Sequence, residues 1–168
     1  MGGSRNMTPP SCLSILIPLY NEEEYIATLL DRVLEATLPA GMEREVIVVD
    51  DGSDDGSTEA AAGFATRHPG LVRLLRHEKN RGKGAAVRTA LDAAQGEFCI
   101  IQDADLEYDP NEYSRLLKPL LEGNADIVYG SRFLVAGERR VLYFWHALAN
   151  RILTGLCNMA ADLNLTDV

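Results

Sequence analysis

No uninterrupted apolar run in this sequence approaches the ~20 residues that a membrane-spanning helix requires. Cysteines are few and widely scattered. Cys12, Cys99 and Cys157 are odd in number and show neither a disulfide framework nor a metal-ligand spacing, which fits a reducing compartment. They read as small buried apolar residues. Basic residues are outnumbered, 16 against 25 acidic ones, for a net charge of -9. That balance excludes general nucleic-acid binding, because a phosphate backbone needs a basic footprint. No Gly-x-x-x-x-Gly-Lys-Ser/Thr occurs, so a P-loop is excluded. Arg81-Gly82-Lys83-Gly84 is no dinucleotide fingerprint either, since Val87 stands where a third glycine or alanine belongs. Internal repeats and low-complexity segments are absent.

What remains is an ordinary globular composition, 46% hydrophobic and 24% charged, in 168 residues. That length suits one domain with a substantial core. Residues 1–10 have no apolar signal region and read as a flexible leader or a cloning remnant, leaving 11–168 as the domain. Leu13–Leu19 is a short apolar run suited to a buried strand, with Pro18 marking its end. A helix should follow, capped by Asn21 with Glu24 as its partner, its stripe formed by Ile26, Leu29, Leu30, Val33 and Leu34. Glu45–Val49 is the next strand and ends in Asp50-Asp51-Gly52-Ser53. A helix over Ser57–Arg67, a strand over Leu71–Arg76 and a small-residue helix over Gly84–Ala94 come next. Phe98–Gln102 is the fourth strand. Asp109, Pro110 and Glu112 start a further helix, and Ala125–Tyr129 reads as a fifth strand leading to Gly130-Ser131-Arg132.

Strands alternating with amphipathic helices imply an α/β domain with a mostly parallel sheet. Ligands of such sheets bind beyond the carboxyl ends of the strands. Tyr20-Asn21-Glu22, Asp50-Asp51, Asp103-Ala104-Asp105 and Ser131-Arg132 each follow an expected strand, so they should converge on one edge.

Asp103-Ala104-Asp105 is the sharpest signal among them. On an extended segment the two carboxylates point the same way, roughly 6.5 Å apart. Hard oxygen ligands suit Mg²⁺ or Mn²⁺, with water and substrate phosphates completing the shell. Glu107 continues the alternation as a candidate third ligand. Asp51 could accept a hydrogen bond from a nucleobase N–H, while Asp54 and Asp55 read as surface and capping residues. Lys83 opens a helix and could meet an anion. Arg132 could meet a phosphate with its planar fork of donors. Val141–Ala161 carries Leu142, Trp145, Leu148, Ala149, Ile152, Leu156 and Met159 at helical spacing, with Arg139, Arg140 and Arg151 nearby. Core packing explains that helix, and contact with a membrane surface or lipid substrate is the functional alternative.

In order and spacing, Pro18-Leu19-Tyr20-Asn21-Glu22, Asp50-Asp51-Gly52-Ser53, Asp103-Ala104-Asp105 and Gly130-Ser131-Arg132 resemble family 2 of the glycosyltransferases. These are inverting enzymes of the GT-A fold, a Rossmann-like three-layer α/β/α sandwich. Within the family the chain is most similar to the dolichyl- and polyprenyl-phosphate sugar synthases. The resemblance implies that Pro18, Tyr20, Asn21 and Glu22 line the nucleoside pocket, with Val49 and Asp51 at the base. It implies that Asp103 and Asp105, with Ala104 between them, hold the metal and the donor diphosphate. Glu107 falls at the third ligand position, and Arg132 would bind phosphate.

The implied reaction is inverting transfer of a sugar from a UDP- or GDP-sugar, with a divalent metal neutralising the departing diphosphate. A hydroxyl acceptor would need a general base. Only Asp167, near the chain's end, offers itself, which favours a polyprenyl phosphate, already an anion. The expected place of work is the cytoplasmic face of a membrane. Family members normally continue past the position of Val168, so the sequence is expected to be a truncated one. One enzyme, one signalling and one binding alternative stand beside this. A haloacid-dehalogenase-type phosphotransferase also uses Asp-x-Asp, but on an early strand. A receiver domain would carry its acidic pair after the first strand. A non-catalytic nucleotide-binding module would bind without transfer.

Overall fold

The computed structural model describes residues 11–130. The described chain falls into two compact units, the first ending at Ser114 and the second beginning at Arg115.

Four strands make up the sheet of the first unit: β1 (Cys12–Leu19), β2 (Glu43–Asp50), β3 (Val72–Arg76) and β4 (Phe98–Ile101). They are parallel and ordered β3-β2-β1-β4. Parallel neighbours need crossover helices, supplied by α1 (Glu23–Glu35), α2 (Ser57–Arg67) and α3 (Lys83–Ala93). Both faces of β1 and β2 are covered, which the continuous apolar character of these strands demands. Leu16, Ile47 and Val49 pack against Ala86 and Ala90 of α3, where small side chains let the helix approach the sheet closely. Alternate residues Ile15, Ile17, Val46 and Val48 are also fully buried. On α1 the expected stripe is realised in Ile26, Leu29, Leu30 and Val33, all buried, with Leu34 half-buried.

Order and connectivity create the site. From β1 the chain moves outward through β2 and β3, then α3 carries it back to β4 on the other side of β1. The strand order reverses between β1 and β4, so a crevice opens beyond their carboxyl ends.

Two expectations are corrected here. Asn21 does not cap α1. It adopts a left-handed conformation (φ 53°), and Glu22 occupies the cap position with no side-chain bond of its own. Partners come instead from the loop after β2 and the first residue of α2: the hydroxyls of Ser53 and Ser57 and the carboxylate of Asp55 accept from the N–H groups of Asn21, Glu22 and Glu23. Asn21 reciprocates by accepting from the Asp54 N–H at 3.0 Å. The second correction concerns Ala125–Tyr129, which forms no strand. A strand exists only when paired, and this run has no ladder partner among the described residues. Ile127 and Tyr129 are exposed.

A short 3-10 turn over Pro110–Glu112, capped by Asp109 as expected, leads into α4 (Tyr113–Leu121). In the second unit α4 ends in a Schellman motif, with Gly123 left-handed and the N–H groups of Gly123 and Asn124 bonded to Leu120 and Pro119.

Candidate functional site

At the strand-reversal point lies a cleft of about 260 Å³. Its wall gathers Pro18, Tyr20 and Glu22 from the end of β1, Asp51 from the end of β2, Lys83 from the start of α3, and Asp103, Ala104 and Asp105 from the end of β4. Eight residues expected at the site from sequence therefore meet in one place. Leu19, Asn80, Gly82 and Ala86 also line it.

Three expected site residues stand elsewhere. Val49 is fully buried in the cluster under α3, because strand alternation turns it toward the helix. Asn21 lies outside the cleft wall, tied to the loop after β2. Glu107 is not on the cleft wall either. Alternation carries no further than Asp105: the chain turns there, Leu106 is left-handed (φ 60°), and the Glu107 N–H folds back onto the Asp105 carboxylate at 3.0 Å. Among the described residues, no three His, Cys, Asp or Glu side chains are gathered to hold a metal ion. Ser131, Arg132, Arg139, Arg140, Arg151, Asp167 and the expected helix over Val141–Ala161 lie outside the described residues.

The two acidic residues after β2 divide their labour. Asp50 is wholly buried and structural: it accepts from the Ser53 N–H, the Thr58 hydroxyl and the Arg76 guanidinium. Asp51 reaches the cleft wall. Its carboxylate accepts from His77 Nδ1 at 2.5 Å, from the Arg81 N–H at 3.0 Å and from the Gly82 N–H at 2.7 Å. Burial alone would raise the Asp51 pKa, but the bonds from His77, Arg81 and Gly82 outweigh it and hold the carboxyl below its ordinary range. Asp51 is thus an ionised acceptor. Gly52, left-handed at φ 76°, lets the loops meet, since a Cβ there would lie 2.8 Å from the Asn80 nitrogen.

The end of β4 is held differently. Gln102, buried beneath the turn, donates to the carbonyls of Asp103 and Tyr108 and accepts from the Tyr113 hydroxyl at 2.7 Å. Burial pushes the Tyr113 phenol pKa up, so it remains a donor. Lys83 Nζ lies 2.6 Å from Asp103 Oδ1, so a cation is already drawn to this carboxylate. Across the cleft, burial first and then the Asp105 carboxylate raise the pKa of Glu22. Two hard oxygen donors, Asp103 and Asp105, stand together at the wall with room beside them. That donor set fits a small divalent cation whose shell is completed by water and phosphate oxygens. The opening turn of α3 faces the same cleft through Gly82, Lys83 and Ala86, and a helix start favours an anion.

Sequence reasoning missed Gln102, His77 and Asn80. A polar residue at the end of an apolar run was the only local hint for Gln102, and nothing local marked His77.

Residues 14–161 match the glycosyl transferase family 2 family. The chain belongs to glycosyltransferase family 2. It is 32% identical over 139 residues to dolichol-phosphate mannosyltransferase of Pyrococcus furiosus, covering 83% of this chain and 38% of that protein. It is 36% identical over 118 residues to undecaprenyl-phosphate 4-deoxy-4-formamido-L-arabinose transferase of Aeromonas hydrophila subsp. hydrophila, covering 70% of this chain and 36% of the relative. The chain thus spans well under half the length of these relatives. Among solved structures it resembles mannosyltransferase PcManGT from Pyrobaculum calidifontis in complex with GDP-Man and Mn²⁺ (TM-score 0.53, 36% identity), over 63% of this chain and 30% of that one. The parallel sheet with covering helices is accordingly that of the GT-A glycosyltransferases. Asp50-Asp51 follows the second strand and Asp103 the fourth, which suits neither a receiver domain nor an early-strand phosphotransferase.

Proposed function

We propose that the chain is the donor-binding part of an inverting glycosyltransferase that moves a sugar from a UDP- or GDP-sugar to a polyprenyl phosphate. The single observation that carries the reading is the convergence of Asp51, Lys83, Asp103 and Asp105 on one cleft at the strand-reversal point. Support for the acceptor comes from the relatives, whose names specify dolichol phosphate and undecaprenyl phosphate. PcManGT, with GDP-Man and Mn²⁺, supports a nucleotide-sugar donor and a divalent metal.

The residues divide the work. Tyr20, Pro18 and Asp51 receive the nucleoside, Asp51 as an acceptor for a ring N–H. Lys83 and the start of α3 receive the diphosphate, which draws Lys83 away from Asp103. Asp103 and Asp105 would hold Mg²⁺ or Mn²⁺, and Glu107 is proposed as a third ligand. When bound, the metal neutralises the negative charge that grows on the leaving nucleoside diphosphate. Arg132 is proposed as a further phosphate contact. An anionic lipid phosphate attacks the opposite face of the sugar and needs no general base. The lipid acceptor places this chemistry at a membrane surface; among the described residues no helix is long and apolar enough to cross one.

The test is transfer itself. The chain is incubated with labelled GDP-mannose or UDP-glucose, Mn²⁺ and vesicles containing undecaprenyl or dolichyl phosphate. Label in the lipid fraction, with inverted anomeric configuration, is the expected result. Nucleotide binding without transfer would favour a binding module instead.

A further inference from the structure

Behind Asp51, away from the cleft wall, lies a buried imidazole that the proposed chemistry does not use. His77 follows β3 directly and is 8% exposed. Its backbone N–H extends the ladder to the Asp50 carbonyl at 2.8 Å. Its side chain bridges two elements: Nδ1 meets Asp51 Oδ1 at 2.5 Å, and Nε2 meets Thr89 Oγ1 of α3 at 2.9 Å. An ionised carboxylate can only accept, so Nδ1 carries a ring proton, while Nε2 is hydrogen-bonded to the Thr89 hydroxyl, which can serve as donor or acceptor. Both ring nitrogens are satisfied without water.

The acceptor count on Asp51 gives this bridge a consequence. A carboxylate offers about four lone-pair positions. His77 takes one on Oδ1, Gly82 N–H takes one on Oδ2, and Arg81 N–H is shared between both oxygens at 3.0 Å each. About one position is left, on a residue that forms part of the cleft wall. The rotation of the carboxylate decides where that position lies, and His77 sets the rotation.

We infer that His77 is a positioning residue for nucleoside recognition, clamping Asp51 so that its last lone pair meets a ring imide N–H. Uracil and guanine carry such an N–H; cytosine and adenine present a bare acceptor at the corresponding ring nitrogen, which a clamped carboxylate repels. The inference rests on the donor-site reading above.

The test titrates the 168-residue chain with UDP, GDP, CDP and ADP in the presence of Mn²⁺, for wild type and three variants. Asn at 77 keeps an N–H where Nδ1 stands. Gln keeps a polar atom where Nε2 stands, and Leu keeps neither. Wild type should bind UDP or GDP at least about 10-fold tighter than CDP and ADP. His77→Leu should lose about 10-fold for the preferred nucleotide and little for the others, collapsing the discrimination. His77→Asn should restore it, and His77→Gln should not. In the nucleotide-free chain, ¹H–¹⁵N spectra of the imidazole should show a proton on Nδ1, a result independent of any ligand.

An Nδ1 that carries no proton overturns the inference, as does rescue by Gln equal to rescue by Asn. So does a folded Leu variant that discriminates like wild type, or one that weakens all four nucleotides equally. If the Leu variant does not fold, the Asn and Gln pair and the tautomer still decide. Should wild type bind none of the four, the donor reading falls and takes this inference with it; in every other failure the inference falls alone.

Discussion

The two strand ends that face each other across the cleft are built on opposite plans. At the end of β2, Asp51 is 2% exposed and meets three donors, all from the connection between β3 and α3. At the end of β4, Asp105 is exposed, and its carboxylate accepts from the Glu107 N–H two residues along the chain. Leu106 stands there in a left-handed conformation, which costs a non-glycine residue on the order of 1–3 kcal/mol. One side is a finished socket. The other holds backbone strain and exposed charge, as suits a place where a cation and a diphosphate arrive together. Recognition of a base rewards a fixed acceptor, whereas the reacting end gains from ligands that can close on their guests.

The comparison breaks most visibly at Asp105. Asp105→Ala should lower metal-dependent nucleotide binding and transfer by about 10²–10³-fold. Its melting temperature should stay within a few degrees, because exposed positions contribute within about 0.5 kcal/mol. Asp51→Ala should cost stability as well as base recognition. Stripping the shared acceptor leaves His77 Nδ1 and the Arg81 N–H unpaired and the Gly82 N–H with Asn80 Oδ1 alone, and unfolding in urea should show a loss of about 3 kcal/mol. Gly52→Ala attacks the same side through the backbone, forcing a Cβ against Asn80 in a left-handed turn, at about 1–3 kcal/mol.

Acid sharpens the contrast further. In Glu45, Asp50 and Asp51, burial would raise the pKa, but hydrogen bonds and nearby cationic partners outweigh it and lower it. The unfolded chain therefore takes up protons first as pH falls. The stability these groups lend is whole above the ordinary carboxyl value of about 4 and drains away below it, as pH passes through the depressed values. Thermal melting at pH 7 and pH 3 should show a clear drop. Glu45 lies near the opposite end of the interior strand β2, where it accepts from Ser14, Gln95 and Gly96, so acid should loosen the scaffold as well as the socket. The smallest effect is expected for Lys83→Gln. Its ion pair with Asp103 is exposed, so stability should change by about 0.5 kcal/mol or less. Diphosphate affinity should still fall measurably by calorimetry.

What the sequence made legible was local. Ile26, Leu29, Leu30 and Val33 announce α1 by their spacing, and the β1 and β2 runs announce buried strands because parallel sheets are covered on both faces. Acidic and aromatic residues placed after strand ends were readable for the same reason: the topology brings strand ends together whatever the side chains do. Long-range partnership was not legible. The cap of α1 comes from residues more than thirty positions onward, and His77 finds Asp51 twenty-six positions back. Alternation turns Val49, which the resemblance placed at the base, toward α3, and the alternation read through Glu107 breaks at Leu106, where a left-handed residue takes Glu107 out of line. Ala125–Tyr129 has strand composition, but composition cannot supply a partner.

The most direct test of the central claim is calorimetric titration of the chain with UDP and GDP, each with and without Mn²⁺, beside Asp105→Ala. The account predicts that one nucleotide binds in a metal-dependent way and that Asp105→Ala abolishes the metal dependence while leaving the fold intact. A folded chain that binds neither nucleotide, or binds one equally well without metal and with Asp105 replaced, would contradict it.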